Sequence, residues 1–243
     1  MGYRQEMKET SDPSMAEVRK LIDGMPPWAD DDATAEGIDE ASSLGLIDGL
    51  AAWAAAGQDR RAVRLDRPRV ALFFGNWGGG NVDDAKASLD AIQSGRSRLN
   101  GLCRHFDAEL RVYEMAVAAS GNGHGGGGLS QTECATAMAY GMMAVEDGLD
   151  LLCVAAAGSG LSHAAAELAR ALQGAKVGNG GDPLAALARH GGHALSALAG
   201  AIVAARMARV PVILDGFAAL VAGAALHQAN DAALDHCVLA QQL

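Results

Sequence analysis

The residues with the clearest chemical potential sit in three short loops. Gly158-Ser159-Gly160, with Ser162 two residues on, joins an apolar run to a helical one. Glycines at such a turn let a ligand approach the backbone. The free N–H groups of a helix start, together with the Ser162 hydroxyl, suit an anion such as a phosphate. An ordinary tight strand-to-helix turn has the same composition, so both readings stay open. The spacing is not G-x-G-x-x-G, because position 163 is His, and no Gly-Lys-Ser/Thr follows. Asp215-Gly216 comes directly after the apolar run 210–214. A carboxylate there can accept hydrogen bonds from a sugar or base, or cap the next helix. Gly75 and Asn76 open the third loop, residues 75–81, after the run 70–74.

Other chemically capable groups form no constellation. His190 and His193 flank Gly191-Gly192 without a neighbouring carboxylate, and with His163 they carry no metal-ligand spacing. His124 lies in a glycine loop, residues 120–128, and reads as solvated. No Ser/His/Asp or Cys/His set is recognisable, and no nucleophile elbow. Cys103, Cys134, Cys153 and Cys237 include no C-x-x-C pair, which points to reduced, buried thiols. No catalytic residue, metal site or cofactor is expected from these patterns.

The elements that must hold these loops follow from periodicity. Four apolar runs read as strands: residues 70–74, 109–116, 151–156 and 210–214. Between them lie helical patterns at 82–100, 132–147, 162–172, 183–190, 194–209 and 217–230, with a second flexible loop at 174–181. Ser14 and Ser130 each stand three residues before a Glu, the capping-box spacing. Ahead of the first strand come a short helix at 15–24 and a longer helical pattern at 33–56. Alternating strands and helices predict a Rossmann-like α/β domain over 61–243, with a mostly parallel sheet and helices on both faces. An N-terminal helical segment, 1–60, precedes it. In such sheets ligands bind beyond the carboxyl ends of the strands, which is where the loops 75–81, 157–162 and 215–217 fall.

Composition narrows the function. Of 243 residues, 50% are hydrophobic and only 4% aromatic, so the core is built from Ala, Leu and Val. The formal charge of −10 argues against a nucleic-acid surface, and the basic stretch 60–69 reads as a connector ahead of the first strand. The polar start, 1–12, carries both charge signs and is not a signal peptide. The apolar stretch 195–214 includes Arg206 and Arg209 and does not span a membrane. A cytoplasmic location is expected.

Several segments, in order, resemble one family, the nicotinate-nucleotide:dimethylbenzimidazole phosphoribosyltransferases of cobalamin lower-ligand assembly. They are Ser43-Leu44-Gly45 with Leu50-Ala51-Ala52-Trp53, then Asp66-Arg67-Pro68-Arg69-Val70, and Leu129-Ser130 through Gly148-Leu149-Asp150-Leu151-Leu152. Gly191-Gly192, Ala197-Leu198-Ala199-Gly200-Ala201-Ile202 and Arg209-Val210-Pro211-Val212-Ile213-Leu214-Asp215-Gly216-Phe217 are the most specific. The resemblance covers most of residues 35–243. It implies a Rossmann-like homodimer that transfers the phosphoribosyl group of nicotinate mononucleotide to dimethylbenzimidazole, giving α-ribazole phosphate and nicotinate. A Glu would take the benzimidazole proton, and loop N–H groups would hold the phosphate.

The sequence departs from that pattern where chemistry is concentrated. Gly75-Asn76-Trp77-Gly78 stands for the family's Gly-Asp-His-Gly, so Trp77 either fills the pocket or stacks on a base. The Gly-Glu-Met-Gly-Ile-Gly-Asn-Thr-Thr loop becomes residues 155–163, with Ala156 at the Glu and Leu161 at the Asn. Gly-Gly-Phe-Glu becomes Gly191-Gly192-His193-Ala194, and the Gly-Arg-Gly-Thr-Gly phosphate loop is not recognisable in 174–181. The sequence stops at Leu243, ahead of the family's Gly-Glu-Gly segment, so no residue here matches the catalytic Glu. Two expectations follow. One is phosphoribosyl chemistry that is altered or weakened, on a nucleotide or benzimidazole-like ligand bound by Gly75, Asn76, Gly158, Gly160, Ser162, Asp215 and Gly216. The other is a non-catalytic binding or regulatory subunit, paired with a complete enzyme.

Overall fold

The computed structural model describes residues 12–28, 45–78, 81–115, 128–177 and 181–241. The loop with His124 lies outside them, as do residues 33–44 of the second helical pattern and 178–180 of the second loop. Five strands, β1 (Pro68–Gly75), β2 (Glu109–Met115), β3 (Leu151–Ala157), β4 (Val212–Leu214) and β5 (Cys237–Leu239), form one sheet of order β2-β1-β3-β4-β5. Every pairing is parallel.

Both faces carry helices. On one, Ala71, Phe73, Leu152, Val154, Val212 and Leu214 meet α5 (Gln131–Met142), α6 (Leu161–Val177), α7 (Pro183–Met207) and α8 (Gly216–Ala229). On the other, Leu72, Phe74, Ala155 and Ala157 pack on α3 (Val82–Gln93) and α4 (Arg98–His105). Burial on both faces is why residues 70–74 of β1 and the whole of β3 are uninterrupted apolar runs. Of the N-terminal helices, α1 (Met15–Asp23) adds Met15, Val18 and Ile22 to the larger core, and α2 (Gly45–Gly57) is tied to the turn before β5 by the Trp53 indole N–H on the Asp235 carbonyl at 2.9 Å.

The low aromatic content has a structural counterpart between α5 and α7. A Cβ on Gly141 would lie 1.8 Å from the Ala197 carbonyl oxygen, and one on Gly200 would lie 2.0 Å from that of Met138. The two helices therefore meet backbone to backbone. The Ala-rich face 194–205, which also suits a subunit contact, is consumed inside the chain.

Several boundaries differ from the sequence reading. The pattern 82–100 is two helices, because Gly95 takes a φ of 75° and Ser97 starts α4 with its own capping box to Asn100. The pattern 132–147 ends at Met142, and α6 runs on to Val177. The fourth strand begins at Val212 rather than 210. Pro211 has no N–H to give the ladder. The fifth strand, β5, has no long apolar run to announce it. The break between 183–190 and 194–209 is present inside α7 as Gly192, with φ 62° and ψ −173°. Ser14 and Ser130 both form the expected capping boxes.

Candidate functional site

Parallel pairing puts the C-terminal ends of β1, β3 and β4 on one edge, and with them the three glycine-bearing loops. The connection after β1 runs through α3 and α4 on one face, while that after β3 runs through α6 and α7 on the other. Their divergence leaves a crevice at the β1–β3 boundary, the usual ligand position in such sheets.

The two loops at this boundary are laced together. The Ser159 N–H donates to Asn76 Oδ1 at 3.1 Å, and the Trp77 N–H donates to the Ser159 carbonyl at 2.8 Å. Gly158 has a φ of 132°, and a Cβ there would sit 1.7 Å from the Gly75 carbonyl oxygen. Gly160 has a φ of 76°, and its Cβ would sit 1.9 Å from the Trp77 carbonyl oxygen. These glycines let two strand-end turns touch, and the Ser159 N–H is already spent on Asn76. The simple phosphate cradle read from Gly-Ser-Gly is therefore only partly open. What remains is the start of α6, where Ser162 is exposed.

Trp77 is half-buried and packs against the larger core. A Cβ on Gly192 would lie 2.6 Å from its Cε3 and 2.8 Å from its Cζ3. The kink in α7 thus receives the indole, which fills the space between the β1 turn and α7. On the other side of the Gly158 turn a cavity of about 350 Å³ stays open toward α3, floored by Phe74, Ala85, Ile92 and Ala157. Asn81, Asp84, Ser88 and Ser159 supply its polar rim. Asn81 also caps α3, accepting from the N–H groups of Asp83 and Asp84.

Asp215 occupies the N-cap position of α8, but its side chain makes no capping bond and is exposed. Its N–H donates to the Val154 carbonyl at 3.0 Å, fixing the start of the loop. Burial, reinforced by the Asp215 carboxylate, pushes the Cys153 thiol up to about 12, so it is inert at neutral pH. Gly216 has a φ of 82° and open space around it. Across residues 75–78, 157–162 and 215–217, Asp215 is the one ionisable side chain.

The histidines scatter. His163 is exposed, 3.9 Å from Glu167, and His193 lines a separate cavity beside α5. Among the described residues no group of three or more His, Cys, Asp or Glu could hold a metal ion. No described helix is long and apolar enough to cross a membrane. Sequence reasoning missed the α3-side cavity and the seating of Trp77 on Gly192. The Gly191-Gly192 pair was the available signal for the latter.

Comparison with known proteins places this architecture. A family model described as phosphoribosyltransferase matches residues 31–180 and 168–243. The nicotinate-nucleotide–dimethylbenzimidazole phosphoribosyltransferase of Brucella anthropi is 35% identical over 236 residues, 82% of this chain and 70% of that protein. Its counterpart from Methylocella silvestris is 33% identical over 265 residues, 91% of this chain and 78% of that one. The crystal structure of the Thermus thermophilus enzyme of that name superposes with a TM-score of 0.70 at 19% identity, covering 92% of this chain and 80% of that one, which shows the shared fold. The chain belongs to the nicotinate-nucleotide–dimethylbenzimidazole phosphoribosyltransferase family.

Proposed function

We propose that this chain keeps the family's scaffold and a small-molecule site at the β1–β3 crevice, and that its transfer of a phosphoribosyl group from nicotinate mononucleotide to a benzimidazole is weakened. The ligand contacts in this reading come from Gly75, Asn76, Gly158, Gly160, Ser162, Asp215 and Gly216. The observation that carries it is the indole of Trp77 seated on Gly192. It fills the inner side of the crevice while the α3 side remains open. Support also comes from Ala156, Leu161 and Ala194, apolar residues at positions where the family pattern has Glu, Asn and Glu. General-base catalysis is worth about 10²–10⁴-fold, so losing such groups costs a few kcal/mol of barrier while leaving the fold intact.

The test is to incubate the chain with nicotinate mononucleotide and dimethylbenzimidazole and to measure α-ribazole phosphate and nicotinate. Slow but enzyme-dependent formation of both is expected. Turnover equal to that of the Brucella anthropi enzyme assayed in parallel would contradict the reading.

The packing of Trp77 also favours a second reading, a non-catalytic ligand-binding or regulatory subunit that works with a complete enzyme. That reading predicts ligand binding with no product at all. A cytoplasmic homodimer accompanies the main reading, and sedimentation of the purified chain would give its mass directly.

A further inference from the structure

We propose that the cavity between the end of β2 and the outer face of α5 binds a small organic cation with a flat apolar body. This cavity shares no lining residue with the β1–β3 crevice, and the proposal does not rest on the phosphoribosyltransferase reading. Its volume, about 460 Å³, is that of a small-molecule site.

The chemistry of its walls sets the ligand class. Glu114 and Glu133 face it, and among the described residues neither Lys nor Arg lines it. Each carboxylate has one oxygen occupied. Glu133 Oε2 accepts the Ser130 backbone N–H at 2.8 Å, and Glu114 Oε1 accepts from the Gln93 amide. Among the described residues no hydrogen bond reaches Glu133 Oε1 or Glu114 Oε2, so each can take a donor from a ligand. A phosphate or carboxylate would meet two negative charges here. An ammonium or amidinium would meet two acceptors.

The aromatic wall argues for a flat body. Tyr140 is held edge-on to Tyr113, with centroids 6.1 Å apart and an interplanar angle of 82°, yet is 40% exposed. Such a ring attracts a cation over its face, and Met115 and Ala137 complete an apolar wall. His193 follows the non-helical Gly192, and that break in α7 brings its imidazole to the cavity as a further polar partner. Glu133 is held below the ordinary carboxylate range by its Ser130 hydrogen bonds, with a smaller contribution from His193. It is thus anionic whenever a cation is present at neutral pH.

The experiment titrates the full chain with benzylammonium, using benzoate as a probe of similar shape and opposite charge. The His193 ring resonances, assigned with His193→Gln, report occupancy by NMR. Benzylammonium is expected to give a saturable shift and benzoate none. Glu114→Gln/Glu133→Gln keeps a capping-box residue at position 133 and should weaken binding about fivefold or more. Thr136→Trp, on the exposed face of α5, should fill the cavity and abolish the shift while moving the melting temperature little. No saturable shift, equal binding of benzoate, or undiminished binding in Thr136→Trp would overturn the proposal.

Discussion

The Trp77 indole rests on Gly192, so close that a methyl group there would lie 2.6 Å from a ring carbon. This one contact joins the turn after β1 to the break in α7, and it decides how much of the crevice is open. Gly192→Ala places a Cβ into the ring at a φ of 62°, where non-glycine residues are strained. A loss of about 1–3 kcal/mol is expected in urea unfolding. In Trp77→Ala/Gly192→Ala the steric part of that loss should vanish and the backbone part remain. A double-mutant cycle with no coupling would contradict the contact.

The helix contact beneath it makes a second prediction. Gly141→Ala would drive a methyl group to 1.8 Å from the Ala197 carbonyl oxygen, an atom that cannot rotate away. Separating two packed helices should lower stability by about 1–3 kcal/mol or more. Gly101→Ala, on α4 with nothing within 4 Å of its added Cβ, is the matched control and should be neutral or stabilising. Equal unfolding midpoints for the two variants would refute the backbone-to-backbone packing.

Acid sensitivity should trace to His236. Its ring is fully buried, and burial lowers its pKa to about 4, with Arg206 adding to the effect against the hydrogen bond to the Ile202 carbonyl. The unfolded imidazole takes its proton near pH 6.5, and the folded one not until about pH 4. Between those values the unfolded state binds more protons, so stability falls as pH drops, by about 2–4 kcal/mol over the window. Urea midpoints measured from pH 7 to pH 5, above the range where the ion-paired carboxylates Glu109, Glu146 and Asp182 contribute, should show this slope, and His236→Gln should lack it there. A wild-type profile flat between pH 6.5 and 5 would be the contrary result.

Gly158 separates a packing role from a binding role. Gly158→Ala puts a Cβ 1.7 Å from the Gly75 carbonyl at a φ of 132° and must spread the two turns. Both stability and affinity for crevice ligands should drop. Asp215→Asn, on an exposed side chain with no capping bond, should leave the melting temperature within about 2 °C and change ligand affinity alone. If Asp215→Asn proved as destabilising as Gly158→Ala, the carboxylate would be a structural group instead.

Much of the fold is readable because burial on both faces writes itself into residues 70–74 of β1 and into β3 as unbroken apolar runs, and Ser14 and Ser130 announce their helices through local hydrogen bonds. The turn at Ser94-Gly95 is not legible in the sequence, because one glycine in a helical pattern does not reveal its sign of φ. Strand β5 is only three residues long, paired with β4 and packed through Cys237 on the larger core, too short to leave a pattern. That the loops after β1, β3 and β4 share one edge also followed from strand direction. What each glycine there does was hidden: the neighbour of Gly158 is Gly75, and that of Gly192 is Trp77, more than eighty residues away in each case. A glycine-rich turn reads the same whether it faces a phosphate or another turn.

The most direct measurement is the melting temperature of the chain with nicotinate mononucleotide, dimethylbenzimidazole or α-ribazole phosphate. A ligand held at a hundred times its dissociation constant stabilises the folded state by about 2.7 kcal/mol, an unmistakable upward shift. At least one of the three should produce it, and Trp77→Ala should enlarge it by opening the inner side of the crevice. Unchanged melting with all three, in both proteins, would contradict a retained site.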